Sequence, residues 1–200
     1  MTMLWDISAP IAPGSPVFPG DTPYTQTWSA TLSPGCPVNV ASLTLSPHVG
    51  THADAPLHYD AEGATAGALA LDPYLGPCRV VHTQGTGPRV TLDEVAEALS
   101  APLPPRVLVR TCATAPTDRW DPAFRALDPA LIEHLADRGV VLVGIDTASI
   151  DPADCKALQS HQVIRRRGLR VLENLVLDAI APGDYELIAL PLKLMTADAS

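Results

Sequence analysis

Within eleven residues, His48-Val49-Gly50-Thr51-His52-Ala53-Asp54-Ala55-Pro56-Leu57-His58, the chain places three of its six histidines and one aspartate. Neutral imidazole and carboxylate are the ordinary ligands of zinc, iron or manganese. Paired histidines can also exchange protons near neutral pH. A metal site or a histidine acid/base pair is therefore the chemistry this mixture suits, set against the plain alternative of a histidine-rich surface turn.

The spacing restricts the local fold. In a helix, with ~100° per residue, His48 and His52 share a face but Asp54 falls about 200° around from His52. Pro56 lacks an N–H, its ring would clash with the carbonyl of His52, and it pushes Ala55 out of the helical region. In a strand, positions 48, 52, 54 and 58 share one parity and point to one side. His48 and His52 would nevertheless stand ~13 Å apart at about 3.3 Å per residue. Bonds of about 2.0–2.2 Å to one ion demand a bend, and Gly50 can supply it through positive φ. The expectation is a strand ending near Ser46, a turn from Pro47 to Thr51 that curls both histidines onto one ion, and an extended exit carrying Asp54 and then His58.

The elements that position this stretch come from the rest of the chain. At 200 residues the length suits a single domain with a sizeable core. A net charge of −9 and a pI near 4.9 disfavour a nucleic-acid backbone or an anionic membrane as partner and leave small molecules. Cys36, Cys78, Cys112 and Cys155 are dispersed without a C-x-x-C pair, which argues against a sulfur-ligated zinc and against cysteine nucleophile chemistry. No signal peptide or membrane span is legible, so the expected location is cytoplasmic.

Residues 1–37 hold many of the 21 prolines, a density that forbids long helix and central strand. Interleaved Leu4, Trp5, Ile7, Val17, Phe18, Tyr24 and Trp28 predict an ordered arm packed on the body, with Phe18, beside Pro19-Gly20-Asp21, either lining a pocket or simply buried under a loop. Val38 to Leu45 reads as a strand with a bulge near Ala41-Ser42. Cys78 to His82, Arg106 to Arg110 and Val140 to Ile145 read as strands, the last two with continuous apolar runs suited to two covered faces. Thr91-Leu92-Asp93-Glu94 has the capping-box pattern and opens a helix to about Leu99. Asp128-Pro129 opens another, ending at Gly139, with His134 directed to solvent. Residues 146–151 form a loop beyond a strand end, where function often resides. A helix over 154–167 bears His161, Leu169 to Leu172 leads into Glu173, and Tyr185 to Leu194 is expected as a buried strand. Alternating strands and helices in the middle favour an α/β domain with a mixed sheet. His48, His52 and Asp54 supply at most three ligands to one ion, and Asp54 could bridge to a second. For the second, spacing ranks His82, His134, His161 and Glu173 only weakly.

The eleven-residue stretch resembles the H-x-G-T-H-x-D-x-P-x-H signature of the metal-dependent cyclase superfamily of amide hydrolases, and within it the bacterial kynurenine formamidase family. Supporting stretches are Leu4-Trp5-Asp6-Ile7-Ser8, Pro19-Gly20-Asp21-Thr22-Pro23, Gly144-Ile145-Asp146-Thr147, Leu169 to Leu175 and Pro182 to Leu187. The resemblance implies a swivelling β/β/α-type fold, a homodimer, and two zinc ions per subunit, with manganese or another divalent metal as the alternative. It implies His48, His52 and Asp54 on one ion, Asp54 bridging to a second held also by His161 and Glu173, and His58 as the general acid/base. Phe18 falls where these proteins usually have a tryptophan beside the substrate. Family members usually continue past Leu194 with a further short stretch, and with the sequence ending at Ser200 a disordered or missing tail is expected. The implied reaction is hydrolysis of N-formyl-L-kynurenine to L-kynurenine and formate in tryptophan breakdown. The rival readings are a ring-opening isatin hydrolase and a non-catalytic metal-binding protein.

Overall fold

The continuous apolar runs Val107-Leu108-Val109 and Leu142-Val143 lie side by side at the centre of one sheet. A computed structural model describes residues 3–83 and 85–200, so Met1 and Thr2 of the proline-rich arm lie outside the described residues. In chain order the elements are β1 (Thr25–Ala30), β2 (Val40–Thr44), β3 (His52–Asp54), β4 (Leu75–His82), β5 (Arg89–Val90), α1 (Leu92–Val95), β6 (Arg106–Arg110), β7 (Ala126–Leu127), α2 (Pro129–Asp137), β8 (Leu142–Ile145), α3 (Gln159–Arg167), β9 (Arg170–Glu173) and β10 (Gly183–Ile188). The main sheet runs β10-β4-β6-β8-β9-β3. Its four inner strands are parallel, and the two edge strands β10 and β3 are antiparallel to their neighbours. This is the mixed-sheet α/β class that the alternation of elements predicted.

Side chains alternate across the inner strands, which is why their sequences are apolar throughout. Val81, Val107, Val109, Val143, Ile145 and Val171 pack with Leu131, Ile132 and Leu135 of α2 and with Val163 and Ile164 of α3. Val80, Leu108, Leu142 and Leu172 face the other side, against Tyr74, Leu175, Leu177 and Ile180. Helices therefore cover one face, and turns and loop segments cover the other. Among the described residues no helix is long and apolar enough to cross a membrane.

Several expectations are corrected. The arm is ordered but only partly packed, since Leu4 and Trp28 are exposed. Its residues 25–30 form β1, unforeseen because the high proline density of residues 1–37 masks the proline-free gap between Pro23 and Pro34, which leaves room for a two-stranded ribbon with β2; the register irregularity falls on β1 between Trp28 and Ala30. The Thr91/Glu94 capping box is present, but regular α-helix ends at Val95. α3 starts at Gln159, because Leu158 takes a left-handed conformation with φ 45°. β10 ends at Ile188 and is a largely exposed edge strand rather than a buried one to Leu194; Pro191 cannot donate to a ladder. His134 is half-buried rather than wholly in solvent. His58 closes a tight 3₁₀ turn, Pro56–His58, instead of an extended exit. Beyond β10, Ser200 exchanges backbone hydrogen bonds with Ala53 at 2.8 and 3.1 Å, a pairing with β3 that the sequence reading did not foresee.

Candidate functional site

Strand register builds half of the site. In the antiparallel pair of β3 and β9, His52 stands directly opposite Glu173, so pairing alone brings residues 121 positions apart in sequence onto one spot. The preceding turn depends on Gly50, whose φ is +67°, and a Cβ there would meet Ile11 Cγ1 at 2.8 Å. Thr51 holds the turn against β9 by donating its hydroxyl to the Asn174 carbonyl. The bend that spacing required thus sits at the expected glycine. Asp151, in the loop before α3, supplies the other half. Its carboxylate accepts from the backbone N–H of Ser160 and His161 at 3.0 Å each and lies 2.9 Å from His161 Nδ1.

The polar atoms converge on Asp54, which has no solvent exposure. Its Oδ1 is 3.1 Å from His48 Nδ1 and 3.3 Å from His52 Nε2, and its Oδ2 is 3.2 Å from His161 Nε2. Glu173 closes the ring, 3.5 Å from His52 Nε2 and 3.6 Å from His161 Nε2. His48, His52, Asp54, His161 and Glu173 are all brought together. The opposite ring nitrogens of His52 and His161 are engaged elsewhere, His52 Nδ1 at 2.9 Å from the Gly50 carbonyl and His161 Nδ1 on Asp151. Such outer partners fix the tautomer and leave Nε2 free to face a cation.

These distances fit a cation. Atoms bound to one tetrahedral ion through bonds of about 2.0–2.2 Å lie about 3.3–3.6 Å apart. His52 Nε2 and Asp54 Oδ1 are buried without a hydrogen-bond partner, an expensive condition for polar atoms unless something between them is bound. Two triads, His48-Asp54-His58 and His52-Asp54-Glu173, each bring one ligand atom per residue within 4.8 Å of one another.

Without an ion, protons take the cation's place. Burial disfavours a charged His52, but the facing carboxylates of Asp54 and Glu173 override it and push its pKa up to about 10. Burial likewise opposes charge on His161, and Asp151 with Asp54 pushes it to about 10. Asp54 is raised by burial yet held well below the usual carboxylate range by the imidazoles of His161, His48 and His52. Raised histidine values contribute stability that is full below the unfolded value of 6.5 and is lost as pH climbs toward about 10. Chelator-treated protein is therefore expected to lose melting temperature between pH 7 and pH 9.5, while metal-saturated protein does not, because metal must displace those protons and binds more tightly as pH rises. Melting curves across that window check this, and a flat or rising profile for the metal-free protein contradicts it.

A cleft of about 220 Å³ opens over this cluster and is lined by His58, Phe18, Trp120, Phe124, Arg119 and Asn174, among others. Phe18 meets Trp120 edge-on at 5.1 Å between centroids, and Trp120 meets Phe124 at 5.9 Å. His58 lies at the mouth with its Nδ1 3.3 Å from Asp198 Oδ2. Sequence reasoning missed four residues here. Asp151 stood in a loop flagged only in general terms, while Trp120, Phe124 and Asp198 carry no motif; tertiary packing brings the two aromatics to the cleft and Asp198 to His48 and His58. His82 is excluded from the cluster, as its Nε2 is tied to the Ile180 carbonyl at 2.8 Å. His134 sits on α2, outside the residues lining the cleft.

Residues 5–152 match the Cyclase family. The chain belongs to the Cyclase family. Curated relatives include the kynurenine formamidase of Paracidovorax citrulli, 70% identical over 99% of this chain and 93% of that protein. The kynurenine formamidase of Bordetella pertussis is 60% identical over 100% of this chain and 95% of that protein. Among solved structures, one described as a predicted metal-dependent hydrolase from Bacillus stearothermophilus matches at a TM-score of 0.82 and 29% identity, over 98% of this chain and 93% of that one. The isatin hydrolase A of Labrenzia aggregata shares the fold, at a TM-score of 0.79 and 21% identity over 98% of this chain and 90% of that one. Membership of the Cyclase family agrees with a donor set of imidazole and carboxylate, which suits a divalent metal.

Proposed function

We propose that this chain hydrolyses N-formyl-L-kynurenine to L-kynurenine and formate, as an arylformamidase of tryptophan catabolism, with two divalent ions, zinc by preference, in the cleft. The observation that carries the two-ion reading is the division of Asp54: one oxygen faces His48 and His52, the other faces His161. One ion is assigned to His48, His52 and Asp54, and a second to Asp54, His161 and Glu173. The substrate reading rests on relatives at 60–70% identity over nearly the full chain that bear the name kynurenine formamidase. Chelation and zinc re-addition on purified protein, followed by release of kynurenine from N-formylkynurenine, test it.

Bound divalent ions supply Lewis acidity and a water of lowered pKa. The chain's own residues do the rest. The aromatic wall of Phe18, Trp120 and Phe124 takes the substrate's aryl ring and orients the formamide toward the polar cluster. Phe18 stands where relatives of the resemblance carry tryptophan and offers no N–H, so its part is apolar contact only. His58, at the mouth and outside the two ligand sets, passes the proton to the aniline nitrogen as the C–N bond breaks. Water contributes its oxygen to formate, and its protons end on the aniline nitrogen and in solvent.

A homodimer belongs to the same proposal. The β1–β2 ribbon has no buried residue and exposes Trp28, Val40 and Leu43, while Ile188, Leu190, Leu192 and Leu194 are exposed along the β10 edge and beyond. Apolar surface on that scale marks an interaction face. Sedimentation at micromolar concentration should give twice the chain mass of 21.1 kDa, and a monomer would count against the dimer.

A further inference from the structure

The last residues of the chain are laid beside β3. Ala55 N–H donates to the Asp198 carbonyl at 2.8 Å, Ala53 N–H donates to Ser200, and Ser200 N–H donates back to Ala53. Ala199 is fully buried and bridges to Asp54. Three backbone hydrogen bonds thus fix the register of Asp198 against the strand that carries His52 and Asp54. Its side chain has one oxygen in two contacts. Oδ2 is 3.0 Å from His48 Nε2 and 3.3 Å from His58 Nδ1.

The two contacted rings have different tasks. His48 faces Asp54 with Nδ1 and Asp198 with Nε2, so a carboxylate at each end sets its orientation. Among the described residues, the His58 ring is hydrogen-bonded to Asp198 alone. The rings sit 4.2 Å apart between centroids, close enough that one oxygen serves both. An imidazole that donates Nδ1–H to a carboxylate keeps Nε2 as the nitrogen free to exchange a proton. One that donates Nε2–H keeps Nδ1 as the ligating atom.

We propose that Asp198 is a positioning residue that locks His48 as a ligand and His58 as a proton carrier, coupling the seating of residues 198–200 on β3 to the completeness of the site. The inference rests on the metal-dependent reading above. It makes Asp198 act through two histidines, without touching substrate or reacting atoms.

Asp198→Asn keeps an acceptor and removes the charge, Asp198→Ala removes both, and Asp198→Glu restores a carboxylate. Three readouts are needed: zinc affinity by competition with a chelator, kcat and KM for N-formylkynurenine, and melting temperature. Loss of an outer partner of a ligating histidine costs roughly 10–100-fold in metal affinity or activity. Asp198→Ala is expected to show that loss in both zinc affinity and kcat, with KM within about twofold and a folded melting transition, and Asp198→Glu is expected to recover part of it. Folded Asp198→Ala with wild-type zinc affinity and wild-type kcat overturns the proposal, as does a loss no larger than the fall in folded fraction. If the wild-type chain releases no kynurenine, the substrate reading fails instead, and chelator competition still decides the role of Asp198.

Discussion

Asp54→Asn is expected to strip the site of metal and to lower kcat/KM by at least about 10²–10³-fold, since Lewis-acid stabilisation of the reaction is worth several kcal/mol and each 1.36 kcal/mol is tenfold. The substitution keeps the shape of the side chain. It removes the charge that lies 3.1–3.3 Å from His48, His52 and His161 together. No other carboxylate in the cluster faces all three rings. Elemental analysis of the purified variant, alongside its circular dichroism, separates lost metal from lost fold. A folded Asp54→Asn protein that retains two ions per chain, or that keeps more than a tenth of wild-type activity, contradicts the central position given to this residue.

His58→Ala makes the opposite demand on the metal. Removing a general acid/base typically costs 10²–10⁴-fold, and we expect a fall in kcat of about that size with metal content unchanged. The comparison matters because geometry alone admits His58 as a ligand: one of its nitrogens lies within 4.8 Å of ligand atoms of His48 and Asp54. Two features favour the proton role. The ring is about one-third exposed at the cleft mouth, and its Nδ1 is already engaged by Asp198. If the variant loses half or more of its bound metal, His58 is a ligand and the proton must be carried by another group.

How much of this was legible in the sequence depends on the distance over which each feature is encoded. The inner strands were legible because a buried parallel sheet needs apolar residues at every position, as in Val107-Leu108-Val109. The turn at Gly50 was legible because ligand distances forbid a straight strand through His48 and His52. Spacing could not single out His161 and Glu173. His52 and Glu173 meet only through the antiparallel register of β3 with β9, which is a tertiary fact, and their assignment came from resemblance. Leu158 hid the start of α3, because a left-handed leucine has no propensity signature. Tyr185 to Leu194 reads as apolar and was expected inside, yet β10 is an edge with much of that stretch exposed. Apolarity serves a protein interface as well as a core. Asp198 was invisible for the simplest reason, since a lone aspartate near a chain end looks like any solvated surface group until backbone pairing sets it beside His48.

The central claim is that a divalent metal in this cleft drives hydrolysis of an aryl formamide. The most direct measurement follows kynurenine release from N-formylkynurenine by the purified chain as isolated, after exhaustive chelation, and after zinc is restored, with isatin offered in parallel. The account predicts release by the isolated protein, its loss on chelation, recovery on reaching two zinc ions per chain, and a clear preference for the formamide over isatin. Release that persists after the metal is gone, or no release from the zinc-replete protein, would contradict it.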